Sequence, residues 1–159
     1  MKISVAGAGA FGSSIASVYA KGGHSVKLYS PTNFKELNAT RAPKKLGHIK
    51  LHKEVYIISS IKKTEESECV FLAVPTQNLA IFCENNNSFL KDRPLIACCK
   101  GIDQATGLRP SEILNKYSKI YSNFDYVINE SNLGLFGNLN RCIDLSRTKK
   151  FMIIHSDDS

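Results

Sequence analysis

Short, dense apolar runs alternate with longer amphipathic or polar stretches along this 159-residue chain. Five runs have the length and composition of strands: residues 2–6, 25–29, 54–58, 69–74 and 94–98. The run Cys69-Val-Phe-Leu-Ala-Val74 is apolar at every position, the pattern of a strand covered on both faces in a parallel sheet. Between the runs the period changes. Phe11, Ile15, Val18 and Tyr19 form one apolar stripe of a helix, and Gly22-Gly23 closes it. Phe34, Leu37 and Arg41 suit a helix over 33–41, and the basic stretch 42–53 reads as loop. Thr64 can cap a short turn or helix over 64–68, and Thr76 can cap a helix over 77–83. Residues 85–88 read as loop, and Pro110 opens a further helix. The order β-α-β-α-β-(α)-β-α-β-α predicts an α/β fold, a doubly wound parallel sheet with right-handed crossovers. Ligands of such sheets bind beyond the carboxyl ends of the strands. Three loops converge there: 7–12, 74–77 and 99–102. Past residue 117 the period fades, so the chain divides into 1–117 and a tail, 118–159, with 151–154 a candidate last strand.

The first strand runs into Gly7-Ala-Gly9-Ala-Phe-Gly12 with a helix following at once. In this context the three glycines have separate tasks. Gly7 allows the tight turn, Gly9 lets a ligand's phosphates approach the backbone, and Gly12 lets the helix pack close to the strand. The free N–H groups of the helix start, with the positive end of its dipole, then face an anion. The pattern predicts a Rossmann-like dinucleotide site. A carboxylate about 20 residues further on would grip the ribose of NAD. Here the second strand ends Tyr29-Ser30-Pro31-Thr32-Asn33, with no acid. Ser30, Thr32 and Asn33 can donate hydrogen bonds to a 2′-phosphate, and Lys35 or Arg41 can add charge, so NAD and NADP both stay open. Lys100 follows the fifth strand directly. Spacing alone favours a solvated turn lysine over a group reaching a cofactor or an anionic substrate.

Composition narrows the classes. Hydrophobic content of 43% and charged content of 22% describe an ordinary globular protein. No apolar run approaches the roughly 20 residues needed to cross a bilayer, and Met1-Lys2-Ile3 opens a strand rather than a leader; a cytoplasmic protein is expected. Five cysteines, two of them adjacent at 98 and 99 and none spaced Cys-x-x-Cys, suit reduced thiols acting as small hydrophobes. The net charge of +7 comes largely from Lys44, Lys45, Lys50, Lys53, Lys62 and Lys63. Without interleaved aromatics or a nucleic-acid motif, these read as solvated surface. His48 and His52 stand four apart but lack a third ligand, so no metal is expected. His24 reads as a turn residue. No Gly-x-Ser-x-Gly elbow points to a hydrolase. Asp103, Glu112 and Glu65 read as solvated or helix-end carboxylates.

Four segments carry a family likeness. Val5-Ala-Gly-Ala-Gly-Ala-Phe-Gly12, Gly23-His24-x-Val26-x-Leu28-Tyr29, Leu72-Ala-Val-Pro-Thr-Gln-Asn78, and Lys100-Gly-Ile with Thr106-Gly107 and Ser111-Glu-Ile-Leu114 stand in order from Met1 to about Asn115. In this they resemble the bacterial NAD(P)-dependent glycerol-3-phosphate dehydrogenases. The resemblance implies reversible hydride transfer between NAD(P)H and dihydroxyacetone phosphate, giving sn-glycerol 3-phosphate for phospholipid head groups. It places Ala10 and Phe11 at the cofactor phosphates and Lys100 against both cofactor and substrate, reversing the reading from spacing. Pro31 takes the place where the family usually has Arg or His near the adenosine. The implied cofactor-binding set is Gly7, Gly9, Ala10, Phe11, Gly12, Ser30, Pro31, Val74, Pro75 and Lys100.

After Tyr117 the sequence departs from that family. The Gly-Pro-Ser/Thr-Phe-Ala segment and the helical second domain, with its general-base lysine and substrate-phosphate ligands, are not found. The expectation is a truncated member whose substrate domain is absent and whose tail is unrelated sequence. Such a chain would reduce a small phosphorylated substrate only if a separate chain carried the second domain. The alternative is a non-catalytic dinucleotide-binding module or pseudoenzyme. A ketopantoate reductase or 6-phosphogluconate type is a third reading, disfavoured by the Lys100-Gly-Ile and Val-Pro-Thr-Gln segments. Neither nucleic acid nor a membrane is expected as a partner.

Overall fold

In the computed structural model the chain opens in the middle of a five-stranded sheet. Described are residues 1–118, except 65, 91 and 92, together with 130, 131, 137 and 144. Strand β1 (Lys2–Ala6) leads into α1 (Ala10–Lys21), β2 (Ser25–Tyr29), α2 (Phe34–Thr40) and β3 (Val55–Ile58). A single 3-10 turn, Ile61–Thr64, precedes β4 (Cys69–Leu72). Then come α3 (Thr76–Asn85), α4 (Asn87–Leu90), β5 (Leu95–Ala97) and α5 (Pro110–Ser118). The strand order is β3-β2-β1-β4-β5, and every neighbouring pair is parallel. The chain moves outward from β1 to β3, then crosses to the far side of β1 for β4 and β5. That reversal opens a crevice beyond the carboxyl ends of β1 and β4, where Ala6 pairs with Leu72.

The buried pattern agrees with a sheet covered on both faces. Ile3, Ser4, Val5 and Ala6 are all buried, as is every residue of β4. Leu79 and Cys83 of α3, Leu90 of α4 and Leu114 of α5 close over Val70 and Leu72. Pro110 is the first residue of α5, where its missing N–H has no helical partner to lose. The second turn of Gly22-Gly23 is a complete Schellman cap. The Gly23 N–H donates to Ala20 O, the His24 N–H donates to Tyr19 O, and Gly23 has φ +83°. The His24 ring lies 5.7 Å from that of Tyr19, supplying the contact that accompanies such caps.

Several local expectations change. The buried face of α1 is Gly12, Ser13, Ala16 and Ala20, while Phe11 and Val18 are exposed. Close packing of helix on strand selects small residues, so the large apolar side chains fall outside the contact. Thr64 ends the 3-10 turn rather than capping a following helix, and its hydroxyl donates back to Ile61 O. Thr76 lies inside α3, whose N-cap is Pro75, and its hydroxyl is used elsewhere. Residues 85–88, read as loop, hold the end of α3 and the start of α4. Glu65 and the candidate strand at 151–154 lie outside the described residues.

Candidate functional site

Two constructions meet at the crevice. The first is made of main chain. Gly7 has φ +112°, and its N–H donates to Tyr29 O at 3.2 Å. A Cβ at this position would stand 2.4 Å from Ala73 O and 3.1 Å from Val74 N. Glycine is therefore required both by the left-handed backbone and by the exit of β4. At Gly12 a Cβ would lie 2.0 Å from Gly7 O, so the first turn of α1 rests directly on the turn that precedes it. Gly9 differs. Its backbone is extended (φ −71°, ψ −176°) and a Cβ there would meet nothing within 4 Å. Gly9 is the N-cap of α1, no side chain caps the helix, and its first turn holds no acid. The N–H groups of Ala10, Phe11 and Gly12 thus open onto free space at the positive end of a 12-residue helix. This cradle fits a pyrophosphate: room where a side chain would stand, and main-chain donors behind it.

The second construction is made of side chains. Val74 and Pro75 carry the chain from β4 into α3. The Thr76 hydroxyl donates to Lys100 O at 2.7 Å. The Gln77 amide donates through Nε2 to Ile102 O at 2.9 Å, and its Oε1 accepts from the Gln104 N–H at 2.9 Å. The loop after β5 is braced from within as well. Asp103 Oδ2 accepts from both the N–H and the hydroxyl of Thr106, at 2.9 and 2.6 Å. The Asp103 N–H donates to Leu108 O, and the Gly107 N–H donates to Asp103 O. Asp103 is buried, which corrects its reading as a solvated carboxylate; a short acid that accepts from residues just downstream builds the turn itself. Lys100 lies exposed at the start of this loop. The Asp103-x-x-Thr106-Gly107 spacing carried the signal for the turn, whereas nothing in the sequence marked the Gln77 contacts.

At the end of β2 the neighbours are accounted for differently from expectation. Ser30 is buried and its N–H donates to Ile58 O at 2.9 Å. Pro31, exposed, has no N–H to offer. Arg41 sits beyond the far end of α2 with φ 56°. Its Nη2 donates to His52 O and, at 3.0 Å, to Val55 O, tying the basic loop to the start of β3. It is therefore engaged away from the crevice, because α2 carries it from the carboxyl end of the sheet to the amino end. His48 and His52 lie in that loop and not on a helix. Among the described residues no group of three metal-ligating side chains occurs.

The thiols near the crevice behave as hydrophobes. Burial pushes Cys99 and Cys83 up to about 12 and Cys98 up to about 11. Cys99 Sγ donates to Leu72 O at 3.1 Å. A thiol this basic stays protonated near neutral pH and offers no nucleophile.

Residues 2–128 match the family model described as the N-terminus of NAD-dependent glycerol-3-phosphate dehydrogenase. The chain belongs to this family. A glycerol-3-phosphate dehydrogenase [NAD(P)+] of Wolbachia sp. subsp. Brugia malayi is 35% identical over 119 residues, which is 73% of this chain and 36% of that protein. The corresponding dehydrogenase of Methanothermobacter thermautotrophicus is 34% identical over 110 residues, 65% of this chain and 33% of that one. The chain thus spans little more than a third of the length of these relatives. A solved glycerol-3-phosphate dehydrogenase from Coxiella burnetii superposes with a TM-score of 0.65 at 19% identity, covering 72% of this chain and 37% of that one. A ketopantoate reductase from Ralstonia eutropha superposes at 0.58 with 19% identity, covering 73% and 38%. The fold is shared by both kinds of enzyme; the glycerol-3-phosphate dehydrogenase assignment rests on the sequence.

Proposed function

We propose that this chain is the dinucleotide-binding part of an NAD(P)-dependent glycerol-3-phosphate dehydrogenase, acting in the reduction of dihydroxyacetone phosphate to sn-glycerol 3-phosphate. The observation that carries the dinucleotide-binding reading is the open space at Gly9 over an uncapped helix start, framed by two glycines that admit no Cβ; the choice of dehydrogenase follows from the family match over residues 2–128. When bound, the nicotinamide coenzyme supplies or accepts the hydride. The chain's own part is to hold and orient. Gly7 and Gly12 shape the cradle, and the amides of Ala10, Phe11 and Gly12 receive the pyrophosphate. Val74 and Pro75 form the wall opposite, and Lys100 presents an ammonium toward the reacting end, where it would meet cofactor and substrate phosphate or carbonyl.

At the ribose edge, Ser30 and Pro31 have no free main-chain donor to give. Residues 29–33 hold no carboxylate to repel a 2′-phosphate, so NAD and NADP are both accommodated in this reading, with Ser30, Thr32, Asn33 and Lys35 the candidate contacts. Protonated, buried thiols suit a reducing cytoplasm.

The general base and the remaining substrate ligands come, in this reading, from polypeptide beyond the stretch shared with the relatives, on a separate chain or otherwise. A positioned acid–base group contributes typically about 10²–10⁴-fold. A second reading is a module that binds NAD(P) and catalyses nothing. Titration of the 159-residue chain with NADH, followed by fluorescence, tests the shared premise; no binding by folded protein overturns both readings. NADH oxidation with dihydroxyacetone phosphate then separates them. Turnover restored by an added substrate-domain chain supports the dehydrogenase, and binding without any restorable turnover supports the module.

A further inference from the structure

We infer that Gln77 is a positioning residue for Lys100, acting through the loop that α3 grips. The inference rests on the reading of Lys100 given above. Strand β5 is only three residues long and its last residue, Ala97, is exposed. The loop that follows changes direction at Gly101, with φ +91°. Bonds to β4 continue only as far as Cys98 and Cys99, both to Leu72 O, and stop short of Lys100 among the bonds described.

The side chains of the first turn of α3 take over from there. A primary amide offers both N–H donors and a C=O acceptor, the two kinds of group a peptide unit offers. Gln77 uses them on the C=O of Ile102 and the N–H of Gln104, one residue either side of Asp103. This is the pair of groups that a neighbouring strand engages in a parallel ladder. Gln77 therefore stands in for a sixth strand's peptide where the sheet has ended. Thr76 adds a third bond two residues earlier, to Lys100 O. Buried Asp103 makes the gripped segment stiff, so a hold on residues 102 and 104 is transmitted back to residue 100.

The same turn of α3 follows Ala73 and Val74, the two residues against which Gly7 is seated. The pyrophosphate cradle and the Lys100 loop thus share one reference point. The distance between the cofactor's phosphates and the Lys100 ammonium is set through Gln77, with no contact between Gln77 and the ligand needed.

A double-mutant cycle on the full chain tests this, with NADH as the probe. Gln77→Ala is expected to weaken NADH binding about fivefold, with the thermal midpoint lowered by a few degrees, about 2–8 °C, and the protein still folded at the titration temperature. In a Lys100→Ala background the same substitution is expected to change nothing further. Gln77→Glu keeps the acceptor for Gln104 and loses the donor to Ile102, and is expected to fall between. Protection of the Gln104 N–H from hydrogen exchange should be lost in Gln77→Ala and kept in Gln77→Glu. An unchanged affinity in Gln77→Ala, or an equal loss with and without Lys100, overturns the inference. If Lys100→Ala binds NADH as well as the parent while Gly9→Val does not bind, the role of Lys100 falls and the inference with it, leaving the glycine cradle standing. If Gly9→Val also binds normally, the nucleotide-site reading itself fails.

Discussion

The turn from β1 into α1 and the loop after β5 border the same crevice, yet they are held by opposite means. The first is held by what its residues lack. Gly7 and Gly12 let main chain touch main chain, and any side chain would occupy space already filled by Ala73 or by Gly7 itself. The second is held by what its residues carry: the amide of Gln77, the hydroxyl of Thr76, the carboxylate of Asp103. A turn built of close approaches tolerates no enlargement and has no gradation. A loop built of side-chain hydrogen bonds loses them one at a time, each worth about 0.5–1.5 kcal/mol net.

The sharpest way to break this contrast is Gly7→Ala. A Cβ 2.4 Å from Ala73 O, on a backbone at φ +112°, combines overpacking with backbone strain. The expected loss is about 4 kcal/mol of stability, read by urea unfolding. A loss under about 1 kcal/mol would mean the turn relaxes more easily than its geometry implies. Gly9→Val comes next and separates shape from ligand. Nothing lies within 4 Å of its Cβ, so stability should stay within about 1 kcal/mol. NADH affinity should fall at least about a hundredfold, close to 3 kcal/mol. Fluorescence titration beside an unfolding curve measures both.

What could be read in advance follows the same division. The glycine turn and all five strands were legible, because close approach demands glycine and burial on two faces demands continuous apolar runs. The buried face of α1 was not. Hydrophobic periodicity weights large residues, and it chose Phe11 and Val18. The helix instead lies on Gly12, Ala16 and Ala20, since its distance from β1 leaves room only for small side chains. Arg41 was read as a charge near the ribose edge. Its placement depends on the direction of α2, a tertiary fact, and its guanidinium holds His52 O and Val55 O at the other end of the sheet. Gln77 is polar and exposed in every local description; its contacts span 25 to 27 residues of sequence and appear only once α3 and the loop are side by side.

On the side-chain half of the comparison, Asp103→Ala should cost about 1–2 kcal/mol. The Thr106 N–H and hydroxyl both lose their acceptor in a half-buried site. Chemical denaturation measures it, and a neutral result would show the loop held by Gln77 and Thr76 alone. The smallest effect belongs to Glu112. Its carboxylate accepts from the Arg109 N–H and pairs with the Arg109 guanidinium, and these hold it below the usual carboxylate range. A carboxyl depressed in the folded state adds stability above its ordinary value and loses it as the pH falls through the depressed one. The difference in thermal midpoint between the parent and Glu112→Gln should therefore be small near pH 7 and shrink as the pH falls below the ordinary carboxylate range. A difference that persisted at low pH would assign the effect to something other than the charge.

The uncapped start of α1 has a consequence for ionic strength. Where amides and a helix dipole cradle an anion, with no acid or base of the first turn nearby, there is little surface charge for added salt to screen. Lys100 is an exposed residue, and counterions screen charge at a surface. Raising potassium chloride should therefore erode the grip at the nicotinamide end first, and leave the phosphate end of the coenzyme almost as firmly seated as before.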